Sequence, residues 1–294
     1  MSTLVLSPEV AQALATGLPV VALETTIVAH GFPAPEGLAV GRECELRVRA
    51  AGAVPATVAV FDGAVRVGLS ERELERIAAA GPEARKLGPR DLAACVAQAA
   101  LGATTVGGTL AACRLAGIRF LATGGIGGAH RGWADLPDVS ADLAELARAE
   151  LLVCCSGIKS LLDVPATAEL LETLGVPVLG WRADTLPLFY AAKGGPGVSA
   201  RVESAAEAAE IARRHWELDG GGLLLGRPPD ESLDDVEPLI EQALAAADEQ
   251  GVHGQAVTPF VLAYLHRESG GRTLRANRDL IVGNARLAGE IAAG

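Results

Sequence analysis

Short, largely apolar runs alternate with longer amphipathic stretches along this chain. Residues 19–23, 118–122, 151–155, 176–181 and 222–225 are such runs. A continuous apolar run, unlike an alternating one, predicts a strand buried on both faces of a parallel sheet. Between the runs, 7–16, 37–50, 70–80, 92–101, 164–174 and 204–218 carry a helical period, and helices over 236–249, 259–268 and 274–293 close the chain. Ser7 with Pro8, and Ser70, mark helix starts; Ser204 with Glu207 three residues on reads as a capping box. Asp62-Gly63 between 56–61 and 64–69 predicts a hairpin. Residues 86–91 read as a loop, 104–108 as a short strand or loop before a helix from Thr109, and 182–196 as irregular. About six to eight strands, most joined through helices, predict an α/β fold in one domain, 1–294: a mainly parallel sheet with one small antiparallel hairpin.

Composition narrows the function classes. The formal charge is −11, and no basic run is long enough to form a nucleic-acid face. An anionic substrate would have to be held by a few local cations. The five cysteines are odd in number and lack a Cys-x-x-Cys pair, which predicts buried free thiols in a reducing compartment. The N-terminus has no leader pattern, and no apolar run reaches about 18 residues. The expectation is a soluble cytoplasmic protein that binds neither nucleic acid nor membrane.

The candidate chemistry gathers between Thr123 and Lys159. A strand ends in a glycine-rich loop carrying His130 and Arg131; an acidic cluster follows (Asp135, Asp138 and Asp142, with Ser140 among them); a second strand ends in Ser-Gly-Ile-Lys159. Open parallel sheets place ligands at this carboxyl edge. Partial burial would lower the pKa of Lys159 and free its amine to attack a carbonyl carbon; a solvated loop lysine is the plainer alternative. Asp138 and Asp142 either cap a helix or hold a hard cation such as Mg²⁺ or Mn²⁺. Glu24 ends an apolar strand, where burial would suit it to proton transfer. Lys86 and Arg90 flank a Gly-Pro turn and are either phosphate anchors or surface charge. The Gly125–Gly128 run superficially resembles a dinucleotide loop, but His130 stands where that fingerprint needs a glycine.

Several stretches together resemble the pseudouridine-5′-phosphate glycosidase family, also called indigoidine synthase A-like. They are LETTIVAHGFP (23–33), VPATVAVFDG (54–63), RVGLS (66–70), KLGPRDL (86–92), TTVGGTLAAC (104–113), TGGIGGAHRG (123–132), DVSADL (138–143), CSGIKSLLDVPATAELLETLGVPV (155–178), GVSARVES (197–204), GVHGQAVTPF (251–260) and GNARLAGEIA (283–292). The resemblance implies a three-layer α/β/α sandwich, a homotrimer and a divalent cation, typically Mn²⁺. It implies a lyase or glycosidase that breaks the bond between ribose C1′ and uracil C5, giving uracil and ribose 5-phosphate. By motif, Lys159 matches the nucleophile, Glu24 the proton donor and Asp138 the metal ligand. Lys86, Val106, Ser140, Ala141 and Asp142 match substrate positions, and Thr123, His130 and Asn284 lie in motifs near the phosphate or ribose.

These residue types suit a C-glycosidic bond, which offers no leaving heteroatom to protonate, so two-carboxylate glycoside hydrolysis does not apply. Ring opening and a lysine imine at C1′ supply an electron sink. Two alternatives remain: a sugar-phosphate-binding protein without catalysis, and a related enzyme of pigment biosynthesis.

Overall fold

The computed structural model describes residues 3–134, 137–252 and 254–294; Asp135 lies outside them. Among the described residues eleven strands form one branched sheet. In chain order they are β1 (Leu4–Leu6), β2 (Val20–Leu23), β3 (Val54–Phe61), β4 (Ala64–Val67), β5 (Arg85–Leu87), β6 (Gly102–Thr104), β7 (Phe120–Ala122), β8 (Leu152–Cys155), β9 (Val178–Trp181), β10 (Ala200–Val202) and β11 (Leu223–Gly226). The helices are α1 (Pro8–Thr16), α2 (Thr26–His30), α3 (Glu36–Ala50), α4 (Glu71–Ala80), α5 (Leu92–Ala97), α6 (Val106–Ala116), α7 (Ala141–Arg148), α8 (Val164–Thr173), α9 (Ala205–Glu217), α10 (Glu237–Glu249), α11 (Val257–Glu268) and α12 (Arg272–Ala293).

The main path runs β1-β4-β3-β2-β7-β8-β11-β9-β10. Every pairing from β3 through β2, β7, β8, β11 and β9 to β10 is parallel. The central strands of this run are apolar and buried on both sides, as β2 (VVAL) and β8 (LVCC) show, whereas β3 carries Thr57 and the edge strand β10 exposes Arg201. Helices cover both faces and complete the three layers. On one side α12 lies across β2, β7 and β8 and packs on α3 and α9; α6 packs with α7 and against β1 to β4.

The branch is made by β3. Its first half pairs with β2, Leu23 opposite Thr57; its second half turns to antiparallel partners, β4 on one side and β6 on the other. β6 in turn carries β5. Asp62 and Gly63 both adopt positive φ in the predicted hairpin. A knot of hydroxyls fastens the branch to the end of β2. Thr25 Oγ1 donates to the Val58 carbonyl at 2.7 Å, Thr104 Oγ1 to the same carbonyl at 2.8 Å, and Thr109 Oγ1 to Thr104 Oγ1 at 2.9 Å.

Several expectations are corrected. The sheet has more strands than six to eight because β1, β5, β6 and β10 are three residues long, too short to show a period. Lys86 sits on β5, not in a loop, and α6 begins at Val106 rather than Thr109. Ser204 does cap α9, but the Glu207 carboxylate accepts from the Glu203 amide, one residue short of a capping box. All five cysteines are buried and free.

Gly157 is where the fold commits to the position of Lys159. Its φ is 90°, and a Cβ there would lie 2.0 Å from the Pro187 carbonyl oxygen. Gly157→Ala is expected to destabilise the protein by about 3 kcal/mol in urea denaturation. A change below about 0.5 kcal/mol would show that this turn does not constrain the Lys159 segment.

Candidate active site

Three adjacent parallel strands end together, and each delivers one part of the site. Glu24 follows β2, Thr123 follows β7 and Lys159 follows β8; the registers Leu23 opposite Ala122 and Ala122 opposite Cys154 fix their alignment. The β5–β6 branch adds Lys86 and Thr105 from the other side.

Glu24 is 5% exposed. Its two carboxylate oxygens accept from the Thr123 and Thr26 hydroxyls. Burial pushes its pKa above the ordinary carboxyl value; the Lys159 charge and the two hydroxyls pull it partly back, and Asp142 adds to the rise. A raised pKa brings a buried carboxyl closer to the range useful for proton transfer. Lys86 shows the opposite response. Burial pushes its pKa down to about 8, the Lys159 charge adds to this, and Glu24 and Asp142 oppose it.

Two cavities meet at these amines. The first is mostly apolar and is lined by Glu24, Thr123, Phe189, Leu262 and Ile281 among others. The second is polar, lined by Arg90, His130, Asp138, Ser140, Ala141 and Asp142. Lys86, Thr105, Lys159 and Thr258 line both. The junction therefore places two amines between an acid on one side and a polar pocket on the other.

The glycine-rich loop closes the polar cavity through close backbone contacts. A Cβ on Gly127 would lie 2.4 Å from Ser140 Oγ. Gly127 N–H instead donates to Asp142 Oδ2 at 2.8 Å, and Gly107 N–H to Oδ1 at 2.7 Å. Asp142 thus ties the loop to the first turn of α6, and it is 5% exposed. Ser140 caps α7 by accepting from the Asp142 amide at 3.2 Å. His130 N–H donates to the Asp138 carbonyl at 2.9 Å. Burial lowers the His130 pKa, Asp138 raises it, and Lys86 and Lys159 lower it.

A family model for indigoidine synthase A like protein matches residues 9–294. The chain belongs to this family. It is 51% identical to a pseudouridine-5′-phosphate glycosidase of Streptomyces griseus, over 98% of this chain and 90% of that one. It is 46% identical to a protein of the same name from Herpetosiphon aurantiacus, over 99% and 98%. Among solved structures, the prealnumycin C-glycosynthase AlnA in complex with ribulose 5-phosphate superposes with a TM-score of 0.90 at 40% identity, covering 100% of this chain and 97% of that one. An indigoidine synthase A-like protein of Thermotoga maritima gives 0.89 at 37% identity over the same shares.

Two family-matched positions stand outside both cavities. Val106 is buried in the core at the first position of α6; a contact from it would come through its amide, which the helix's own ladder cannot reach. Asn284 is fully buried on α12 and donates to the Thr123 carbonyl at 2.8 Å and Ser156 Oγ at 3.1 Å. It braces the ends of β7 and β8 from beneath. The sequence reading also missed lining residues. Thr258, on α11, lines both cavities, from a stretch without readable chemistry. Asn277, 3% exposed, lines the apolar one, and its Oδ1 has no hydrogen-bond partner among the described residues. Helical spacing on α12 makes Asn277 and Asn284 look like any polar pair; the cavity alone separates them.

The donor set limits what cation the site suits. No group of three or more His, Cys, Asp or Glu side chains among the described residues is arranged to hold a metal ion. With both Asp142 oxygens engaged by amides, and Asp91 accepting from the Gly88 amide and paired with Arg90, Asp138 is the carboxylate left in the polar cavity among the described residues. One carboxylate fits a hard, largely hydrated cation and does not fit a zinc cage.

The raised pKa of Glu24 makes stability depend on pH with a definite sign. The folded state binds this proton more tightly than the unfolded state, so the stabilising contribution is complete below the ordinary value of 4.5 and is lost as pH rises through the folded value. Glu24→Gln cannot lose a proton. Its stability relative to the parent protein should therefore climb from pH 4.5 upward in urea titrations; a flat or falling difference would mean that Glu24 is not held protonated by burial.

Proposed function

We propose that the chain cleaves the C1′–C5 bond of pseudouridine 5′-phosphate to uracil and ribose 5-phosphate. The observation that carries this reading is the arrangement of a buried acid and two amines at the junction of an apolar and a polar cavity, in a chain half identical to proteins that bear this activity's name. The base enters the apolar cavity, where the Asn277 carbonyl oxygen can accept from a ring N–H. The sugar phosphate enters the polar cavity, toward Arg90, His130 and the first amides of α7.

C1′ then lies at the junction, within reach of Lys159. The C1′–O4′ bond opens to a C1′=C5 double bond, a proton leaving uracil N1 as one arrives on O4′; the neutral lysine nitrogen then bonds to C1′, the double-bond pair returns into the ring, and N1 regains a proton from the new ammonium. Glu24 supplies the proton that uracil C5 must accept. The nitrogen lone pair forms C=N as the C1′–C5 pair returns to the uracil ring. Water adds to the imine and releases the aldehyde and the amine. Lys86 keeps a neutral fraction near neutral pH and can accept or return protons on O4′. Asp138 with waters would hold Mn²⁺, which when bound supplies Lewis-acid polarisation of an oxygen.

Folded protein given pseudouridine 5′-phosphate and Mn²⁺ should release uracil; its absence refutes the reading. Borohydride quenching should leave ribose 5-phosphate on the peptide carrying Lys159, and Lys159→Ala should lower kcat by roughly 10³-fold or more with the fold intact. An adduct on Lys86 would move the nucleophile to the neighbouring amine. Asp138→Asn should raise the Mn²⁺ concentration needed for half-maximal rate by about 10-fold or more; an unchanged requirement removes Asp138 as the cation's ligand.

A further inference from the structure

Glu24 borders a second, smaller void on the side away from the amines. It lies between β2, β3, β7 and α3, bounded by Leu23, Thr57, Ala122 and Cys44. About 10 Å³ of it is open to the centre of a water molecule, close to the minimum for one water. Such a water would have three polar neighbours: the Glu24 carboxyl, the Thr57 hydroxyl and the Cys44 thiol, whose pKa burial pushes up so that it stays protonated. Thr57 is 2% exposed. Its hydroxyl donates to Glu45 Oε1, and Glu45, on α3, is part-exposed and reaches solvent. An acid, a hydroxyl and a water-sized void thus lead from the surface to the back of Glu24.

We propose that Glu45 and Thr57 form a proton relay that recharges Glu24 from solvent through this void while the front cavity is filled. The inference rests on the glycosidase reading, in which Glu24 gives up a proton to uracil in each turnover. With Glu45 protonated and the Thr57 hydroxyl turned from Glu45 toward the void, Glu45 releases its proton to Thr57 Oγ, Thr57 passes its own to the water, the water passes one to the Glu24 carboxylate, and Glu45 takes a replacement from bulk; the proton freed when water adds to the imine leaves through the front cavity with the products, so the turnover stays proton-neutral. No charge is left behind at Thr57 or the water. Glu24 retains a lone pair for the transfer, because each of its oxygens accepts one hydroxyl and carries two. Glu45 suits the entrance. Burial raises its pKa, Glu71 and Glu9 add to the rise, and the Thr57 hydrogen bond and Arg49 oppose it.

The relay separates the first turnover from the later ones. The relay acts only after Glu24 has given up its first proton, so quench-flow of Thr57→Val and Glu45→Gln with pseudouridine 5′-phosphate should show one uracil per site released within twofold of the parent rate. A steady state at least 10-fold slower should follow. Imidazole buffer should speed that steady state in proportion to its concentration, and Thr57→Ser, which keeps the hydroxyl, should restore it. Equal slowing of first and later turnovers would assign both residues to packing alone, and an unchanged steady state would show that Glu24 is recharged from the front; either overturns the relay. If the parent protein releases no uracil, the glycosidase reading has failed and takes the relay with it.

Discussion

A carboxyl group held out of water is the constraint around which this molecule is arranged. Burying Glu24 as an anion without partners would cost several kcal/mol. The fold meets this with two hydroxyl donors, Thr26 and Thr123, and with a pKa raised above the ordinary carboxyl value. Both donors depend on further placements. Thr123 is set by the register of β7 between β2 and β8 and by Asn284 beneath its carbonyl. Thr26 opens α2, whose start is anchored by the hydroxyl knot of Thr25, Thr104 and Thr109. The acid that the chemistry needs is thus a product of the sheet's carboxyl edge rather than of any single motif.

The branch in β3 explains how one edge serves two kinds of chemistry. Strands β2, β7 and β8 supply the acid and one amine; β5 and β6 bring Lys86 over the same edge from the antiparallel side. Crowding of the two ammonium groups contributes to the lowered pKa of Lys86. Asp142 gives both oxygens to backbone amides, which ties the glycine-rich loop to the first turn of α6, while Asp138 lines the polar cavity.

Much of this was legible in the residues. The buried parallel strands are apolar runs, Asp62-Gly63 announces its hairpin, and Lys159, Glu24, His130 and Asp138 sit in stretches whose composition betrays them. What stayed hidden has a physical cause in each case. Strands of three residues, such as β5, cannot display a period, so Lys86 looked like part of a loop. Asp142 reads as one of an acidic pair because sequence does not reveal that two amides converge on it. Thr258 and Asn277 reach the cavities through packing of α11 and α12, which no local pattern encodes. Asn284 belongs to a telling motif, yet its side chain acts on the scaffold.

The central claim is that the edge holds Lys159 where it captures C1′ of the sugar. The most direct measurement is a crystal structure of the protein soaked with ribose 5-phosphate. The account predicts continuous density from Lys159 Nζ to C1′, with the phosphate in the polar cavity beside His130 and Ser140. Sugar bound there without a covalent link, or linked to another amine, would contradict it.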